Sequence, residues 1–200
     1  NTLNAENPGI SGFGDLYQNI NQMNLFISRT LHADVLTESA KNYYLGQVYG
    51  LRAYYMYQLY RSWGDAVFTE EPSLGFEVGK LAKAATPAAE IFEQVKKDIE
   101  SSLSYFGPDY TIKEKKSLWS KAATLMLKAD VYLWSAHRDG GEGDARTAKN
   151  ALVDIQNNIS RSNLDLMDTY QGVFAYDNKG NKEIIFTIHN ELFEYNLWNG

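Results

Sequence analysis

Apolar positions recur with a helical period along most of the chain. Leu16, Ile20, Met23 and Ile27 follow one another at spacings of four, three and four, which predicts an amphipathic helix over 15–28. A longer pattern predicts a helix over 38–62, capped by Thr37 or Ser39, with Tyr44, Val48, Leu51, Tyr55 and Leu59 on one face. Gly46 and Gly50 lie one turn apart inside it. Each costs about 1 kcal/mol relative to Ala, so the pair predicts close packing against another helix. Trp63-Gly64-Asp65 ends the pattern, with Gly64 suited to a left-handed cap. The stretch of about twenty residues that follows has no helical period, and a connection that long often carries a role. Thr86-Pro87 opens a helix over 86–106 whose face is Ile91, Val95, Ile99, Ser102 and Phe106, stopped by Gly107-Pro108. Leu118, Ala122, Leu125, Ala129, Tyr132, Leu133 and Ala136 form a broad stripe over 117–137. The glycine-rich run from Asp139 to Asp144 predicts a turn. Asp144 then caps a helix over 145–158 containing Ala148, Leu152 and Ile155. Late in the chain, β-branched residues from Glu183 to His189 predict a short strand over 183–189.

The sum is a mainly α fold of antiparallel helix pairs, stacked as tetratricopeptide-like helical hairpins, with a short β-strand near the C-terminal end. A length of 200 residues suits one helical domain over 1–200. Composition narrows the function. The net charge of −6 disfavours nucleic acid and anionic lipid surfaces, which need clustered Lys and Arg. No apolar run is long enough to cross a membrane as a helix. With no cysteine, disulfides, thiolate zinc sites and cysteine nucleophiles are excluded. His32, His137 and His189 are far apart in sequence and lack metal-site spacing. Asp139, Glu142 and Asp144 sit among glycines without the order of a calcium loop, and a solvated turn is the plainer reading. The carboxylates Glu70, Glu71, Glu191 and Glu194 are only sequence neighbours, so no glycosidase-like pair is defined. Nucleotide-binding and serine-hydrolase motifs are absent. The expectation is a protein with no cofactor, no metal site and no catalytic residue.

Aromatic content changes the picture: 14 Tyr, 9 Phe and 4 Trp make up 14% of the chain. Seven tyrosines fall between Tyr43 and Tyr60, on several sides of one helix, and a helix apolar nearly all round is buried. They read as packing rather than as a ligand stripe. Arg52 in their midst is expected to pair with an acid such as Asp98 or Glu183.

Five segments, in order, resemble the SusD/RagB family of surface glycan-binding lipoproteins of Bacteroidetes-type bacteria. Tyr17 and Ile20, followed by Asn24 and Ile27, are similar to the family's first helix. Leu51-Arg52-Ala53-Tyr54-Tyr55, running on to Trp63-Gly64-Asp65, resembles its long second helix. The helix from Thr86 to Asp98-Ile99, and Lys121-Ala122-Ala123 with Ala129-Asp130-Val131-Tyr132-Leu133, match the next two. Tyr170 to Phe174, with Asn181 and Glu183-Ile184-Ile185-Phe186, resembles the last. Two departures stand out. Ala66-Val67 follows Gly64-Asp65 where the family has Pro two residues later, and family members are more than twice this long. The chain is therefore expected to be incomplete at both ends, without the lipid-anchor cysteine.

The resemblance implies a non-catalytic protein at the extracellular face of the outer membrane, lipid-anchored at full length, that binds oligosaccharide or polysaccharide and delivers it to a SusC-like TonB-dependent transporter. Glycan ligands are held by aromatic faces and by side chains that hydrogen-bond hydroxyls. The candidate contacts with that chemistry are Tyr195, Trp198 and Asn199 beyond the predicted strand, Asn7 and Phe13 before the first helix, and Trp63 at a helix end. Their plainer readings are ordinary loops, and a Trp that staples the loop after its helix. The alternative function is a helical-repeat interaction module that binds a peptide or partner protein.

Overall fold

The computed structural model describes residues 14–75, 83–113 and 116–188. The chain packs as two compact units, 1–105 and 106–200. The mainly α reading with paired helices holds in both.

In the first unit, α1 (Gly14–Leu31) and α2 (Glu38–Trp63) form a helical hairpin, and α3 (Ala88–Phe106) follows a long connection. Of the two predicted caps for α2, Thr37 is the one used: its Oγ1 accepts from the Ala40 N–H at 3.2 Å. Gly64 ends α2 at φ +73, and its N–H donates to the Tyr60 carbonyl at 3.0 Å. The predicted face of α3 is the observed one, with Ile91, Val95, Ile99 and Ser102 fully buried and Phe106 nearly so. Each large aliphatic on that stripe contributes about 1.5–3 kcal/mol by leaving water.

The predicted face of α2 needs correction. Tyr44 is exposed and Val48, Leu51 and Tyr55 are half-buried, leaving only Leu59 of the expected five in the core. The buried stripe is instead Leu45, Gly46, Gly50, Ala53, Met56 and Tyr57, with Arg52 beside it. A helix apolar on all sides has no periodicity to select a face, so the small residues select it, by letting α3 approach. The Ser102 hydroxyl donates to the Gly46 carbonyl at 2.6 Å, a contact that a bulky side chain there would crowd. Of the seven tyrosines on this helix only Tyr57 is buried, Tyr44 is exposed and the rest are half-buried. Tyr57 is fully buried near Phe92, and Tyr49 stacks on Tyr105 with ring centroids 5.6 Å apart and planes 10° apart.

In the second unit, α4 (Lys121–Ser135) and α5 (Gly141–Asn157) form a hairpin joined by one π-helical turn, Ala136–Gly140. α4 starts at Lys121 rather than at 117, because Ser120 is the residue whose hydroxyl accepts from the Ala123 N–H, at 3.2 Å. Asp144 does not cap α5: the helix begins at Gly141, where φ of +53 turns the chain, and Asp144 lies in the first turn. Along these helices Leu133 and Leu152 are exposed, while Val131 and Ala151 take the core positions. A short α6 (Tyr170–Val173) follows, capped by Thr169.

The strand expected over 183–189 has no ladder among the described residues. Residues 184–188 are irregular, and position 189 lies outside the described residues. Phe186 packs on Trp119 (ring centroids 5.0 Å) and the Thr187 N–H donates to the Lys116 carbonyl at 3.0 Å. A β-branched run becomes a strand only where a neighbour pairs along its length, and here one ring contact and one backbone hydrogen bond do not make a ladder.

Candidate functional site

The first unit carries two adjoining clefts between α1 and the connection after α2. One wall is α1 itself: Tyr17, Gln18, Asn21 and Asn24 recur at helical spacing on one side. The facing wall runs from Trp63, the last residue of α2, to Ser73; beyond the helix it is irregular apart from the bridge at Ala66, and it is held by side chains from three helices.

That holding network begins in the core. Arg52 is 2% exposed and Asp98 0% exposed, and Arg52 donates to the two Asp98 oxygens from Nε and Nη2, both at 2.7 Å. This bidentate pair is one of the two pairings expected for Arg52. The other candidate, Glu183, instead accepts from the Met167 N–H at 2.8 Å. Nη1 of Arg52 donates to Asn24 Oδ1 at 2.8 Å, and Asn24 Nδ2 donates to the Thr69 carbonyl at 2.6 Å. One turn earlier on α1, Asn21 grips Ser73 twice: Oδ1 accepts from the Ser73 N–H at 2.7 Å and Nδ2 donates to the Ser73 carbonyl at 3.2 Å. A side-chain amide here does what a neighbouring strand's backbone would do.

Glu70 closes the wall from the α3 side. Its Oε1 accepts from Lys97 at 2.9 Å and Gln94 at 2.7 Å, and lies 3.9 Å from Arg52. The Lys97 hydrogen bond above all, helped by its charge and that of Arg52, holds the Glu70 carboxyl below the usual range. At Asp98, burial pushes the carboxyl up, against the pull of the Arg52 hydrogen bonds. At the far end, Asp65 Oδ1 accepts from the Ala88 N–H at 2.8 Å and Ala66 pairs with Thr86 in an isolated antiparallel bridge, tying the connection to the start of α3. That bond makes Asp65 the cap of α3.

The cleft beside Asn21 has a volume of about 280 Å³ and reaches Phe68 and Lys83; the second, about 410 Å³, contains Trp63, Leu59, Asp65 and Ala85. Tyr17 and Val67 line both. Burial pushes the Tyr17 hydroxyl up, opposed by a hydrogen bond with the Val67 backbone.

Of the predicted site residues, Trp63 is therefore placed at a cleft. Tyr195, Trp198, Asn199, Asn7 and Phe13 lie outside the described residues, as do Glu191 and Glu194. Reading the sequence for sites missed Tyr17 and Asn21. A signal existed for the buried polar arm: Asn24 interrupts the Ile20–Ile27 stripe, and a polar residue on a core face implies a buried partner. Among the described residues no three His, Asp or Glu side chains come together as a metal site.

Helical hairpins thus frame an ordered groove lined by aromatic and amide side chains. No family model matches the chain. A SusD-like protein of Formosa agariphila is 26% identical over 174 residues, covering 87% of this chain and 31% of the relative. Among solved structures, B. fragilis NanU is 48% identical with a TM-score of 0.84, covering 95% of this chain and 37% of its own. A SusD superfamily protein from Bacteroides vulgatus is 44% identical with a TM-score of 0.83, covering 96% and 38%. The chain is SusD-like in sequence and in fold. It spans about a third of the length of these relatives. Two more distant structures share the fold: a surface glycan-binding protein A from Bacteroides fluxus (23% identical, TM-score 0.66, covering 86% of this chain and 34% of its own) and one solved with xylogluco-oligosaccharide (21%, 0.69, covering 86% and 33%).

Proposed function

We propose that this protein binds oligosaccharide or polysaccharide at the bacterial cell surface without cleaving it, and delivers it to a SusC-like TonB-dependent transporter in the outer membrane. The observation that carries the reading is the match, at 44% identity and a TM-score of 0.83 over 96% of the chain, to a SusD superfamily protein. Fold neighbours named for glycan binding or solved with a xylogluco-oligosaccharide support the ligand class. Trp63 at a cleft supports aromatic contact with a sugar face. Tyr195, Trp198, Asn199, Asn7 and Phe13 have the side-chain chemistry to extend that contact. A lipid anchor at full length would hold the protein on the extracellular face.

The test is affinity gel electrophoresis of the full-length protein against a polysaccharide panel, with release of reducing ends measured in parallel. Retardation by at least one polysaccharide without new reducing ends is the expected result. Co-purification from membranes checks the transporter. A protein retained with a partner or peptide but by no glycan would instead favour an interaction module.

A further inference from the structure

The cleft beside Asn21 and the cleft beside Trp63 meet at one side chain. Tyr17 lines both, and its hydroxyl hydrogen-bonds with the backbone of Val67, the other residue common to both. The ring therefore stands at the junction and divides one groove into two chambers. On one side are Phe68, Gln18 and Asn21; on the other is Trp63. Each chamber, at about 280 and 410 Å³, lies near the lower end of the range of about 300–1,000 Å³ for small-molecule pockets, a size suited to one small ring apiece.

Lining chemistry repeats across the divide. Each chamber offers an aromatic side chain, and Tyr17 presents to both. Amide groups of Gln18 and Asn21 and the carboxylate of Asp65 can engage hydroxyls. Among the described lining residues the charges balance, with Lys83 in one chamber and Asp65 in the other. That balance favours an uncharged ligand over a polyanion. The groove is also built in advance. Ser73 is gripped twice by Asn21, Thr69 is held by Asn24, and Asp65 is fixed on the Ala88 N–H. A wall already ordered spares a ligand the entropic cost of ordering it.

We propose that this groove holds two consecutive residues of one uncharged oligosaccharide, one on each side of Tyr17. The assignment rests on the glycan-binding reading above and adds to it a place, a minimum length and a charge class.

Calorimetry on the full-length protein tests it, with neutral gluco- and xylogluco-oligosaccharides of one, two, four and seven units and with oligogalacturonates of matching length. Affinity should rise about tenfold or more from one unit to two, and less steeply beyond. Tyr17→Ala and Trp63→Ala should each weaken binding about tenfold, while Tyr17→Phe, which keeps the ring, should retain most of it. For the wild-type protein, saturation with the bound heptasaccharide should slow amide exchange in residues 17–21 and 65–73, a readout that does not depend on a variant folding. Equal affinity for one and two units, a preference for oligogalacturonate, or protection confined to other segments would overturn the assignment while leaving glycan binding intact. If no member of the panel binds, and no polysaccharide retards the protein in a gel, the glycan reading fails and this assignment fails with it.

Discussion

Replacing Asp98 by Ala is the sharpest test of what holds the first unit together. The Asp98 side chain is fully buried and accepts three hydrogen bonds: two from Arg52 at 2.7 Å and one from Gln94 at 3.0 Å. Its removal strands a guanidinium that is only 2% exposed. Two charge-assisted bonds at about 1.5–3 kcal/mol each set the gross loss. Glu70 lies 3.9 Å from Arg52 and is half-exposed, so it can shift inward and recover part of the attraction. The expected net cost is about 3–4 kcal/mol, within the range for breaking a buried pair by deleting one partner. Urea unfolding followed by far-ultraviolet circular dichroism measures it. Replacing both partners at once, Arg52→Met with Asp98→Leu, should cost far less than Asp98→Ala alone, because no buried charge is left behind. A loss below about 1 kcal/mol for Asp98→Ala, or a double variant less stable than the single one, would refute the reasoning.

Further outcomes follow from single contacts. Glu70→Gln should destabilise by under about 1 kcal/mol at pH 6, since the Lys97–Glu70 pair is well exposed. The difference from wild type is fully present above the ordinary glutamate value of 4.5 and should vanish in urea titrations as pH falls through the lowered value of Glu70. Tyr110, whose hydroxyl donates to Asp154 at 2.6 Å, is pushed up to about 12 by burial and that bond. A pH titration read at the tyrosinate absorbance band should show a late component that Tyr110→Phe diminishes by one tyrosine; the stabilisation from Tyr110 is full below 10 and lost as pH rises toward 12. Ser120→Ala should cost about 1 kcal/mol by uncapping α4, and Ser117→Ala almost nothing, which urea midpoints will separate.

How much of this was legible depended on whether a helix had one apolar side. α3 does, and its stripe from Ile91 to Phe106 reads directly from the sequence. α2 does not: aromatic and aliphatic residues surround it, so the buried side is fixed by where α3 can approach Gly46, which is a tertiary fact. Arg52 was readable as a buried cation needing an acid, and its partner was one of the two that sequence suggested. The site was less legible. Trp63 drew notice as an aromatic at a helix end, but Tyr17 has the same sequence signature as a packing residue. Only the fold of residues 63–73 back onto α1 makes it the wall of a groove. Asn21 gave no signal, because an amide that grips a loop backbone looks like any polar residue on a helix.

The buried ion pair and the groove form one connected device. An Arg–Asp pair in a core is weak support for stability, since well-packed apolar residues often serve as well. Its third arm is different. The guanidinium that binds Asp98 also orients Asn24, and Asn24 in turn holds the Thr69 carbonyl, a chain of contacts at 2.8 and 2.6 Å from core to cleft wall. With apolar residues at 52 and 98, Asn24 would lose the donor that fixes its Oδ1, leaving its side-chain amide free to turn away from Thr69. The Arg52→Met, Asp98→Leu double variant should therefore keep most of its stability yet show faster amide exchange across residues 67–73. Unchanged exchange there would mean that Asn21 and Glu70 suffice to hold the wall and that the core pair only packs. Faster exchange with stability retained would show that α2 carries a polar residue among its apolar ones because that residue positions a loop.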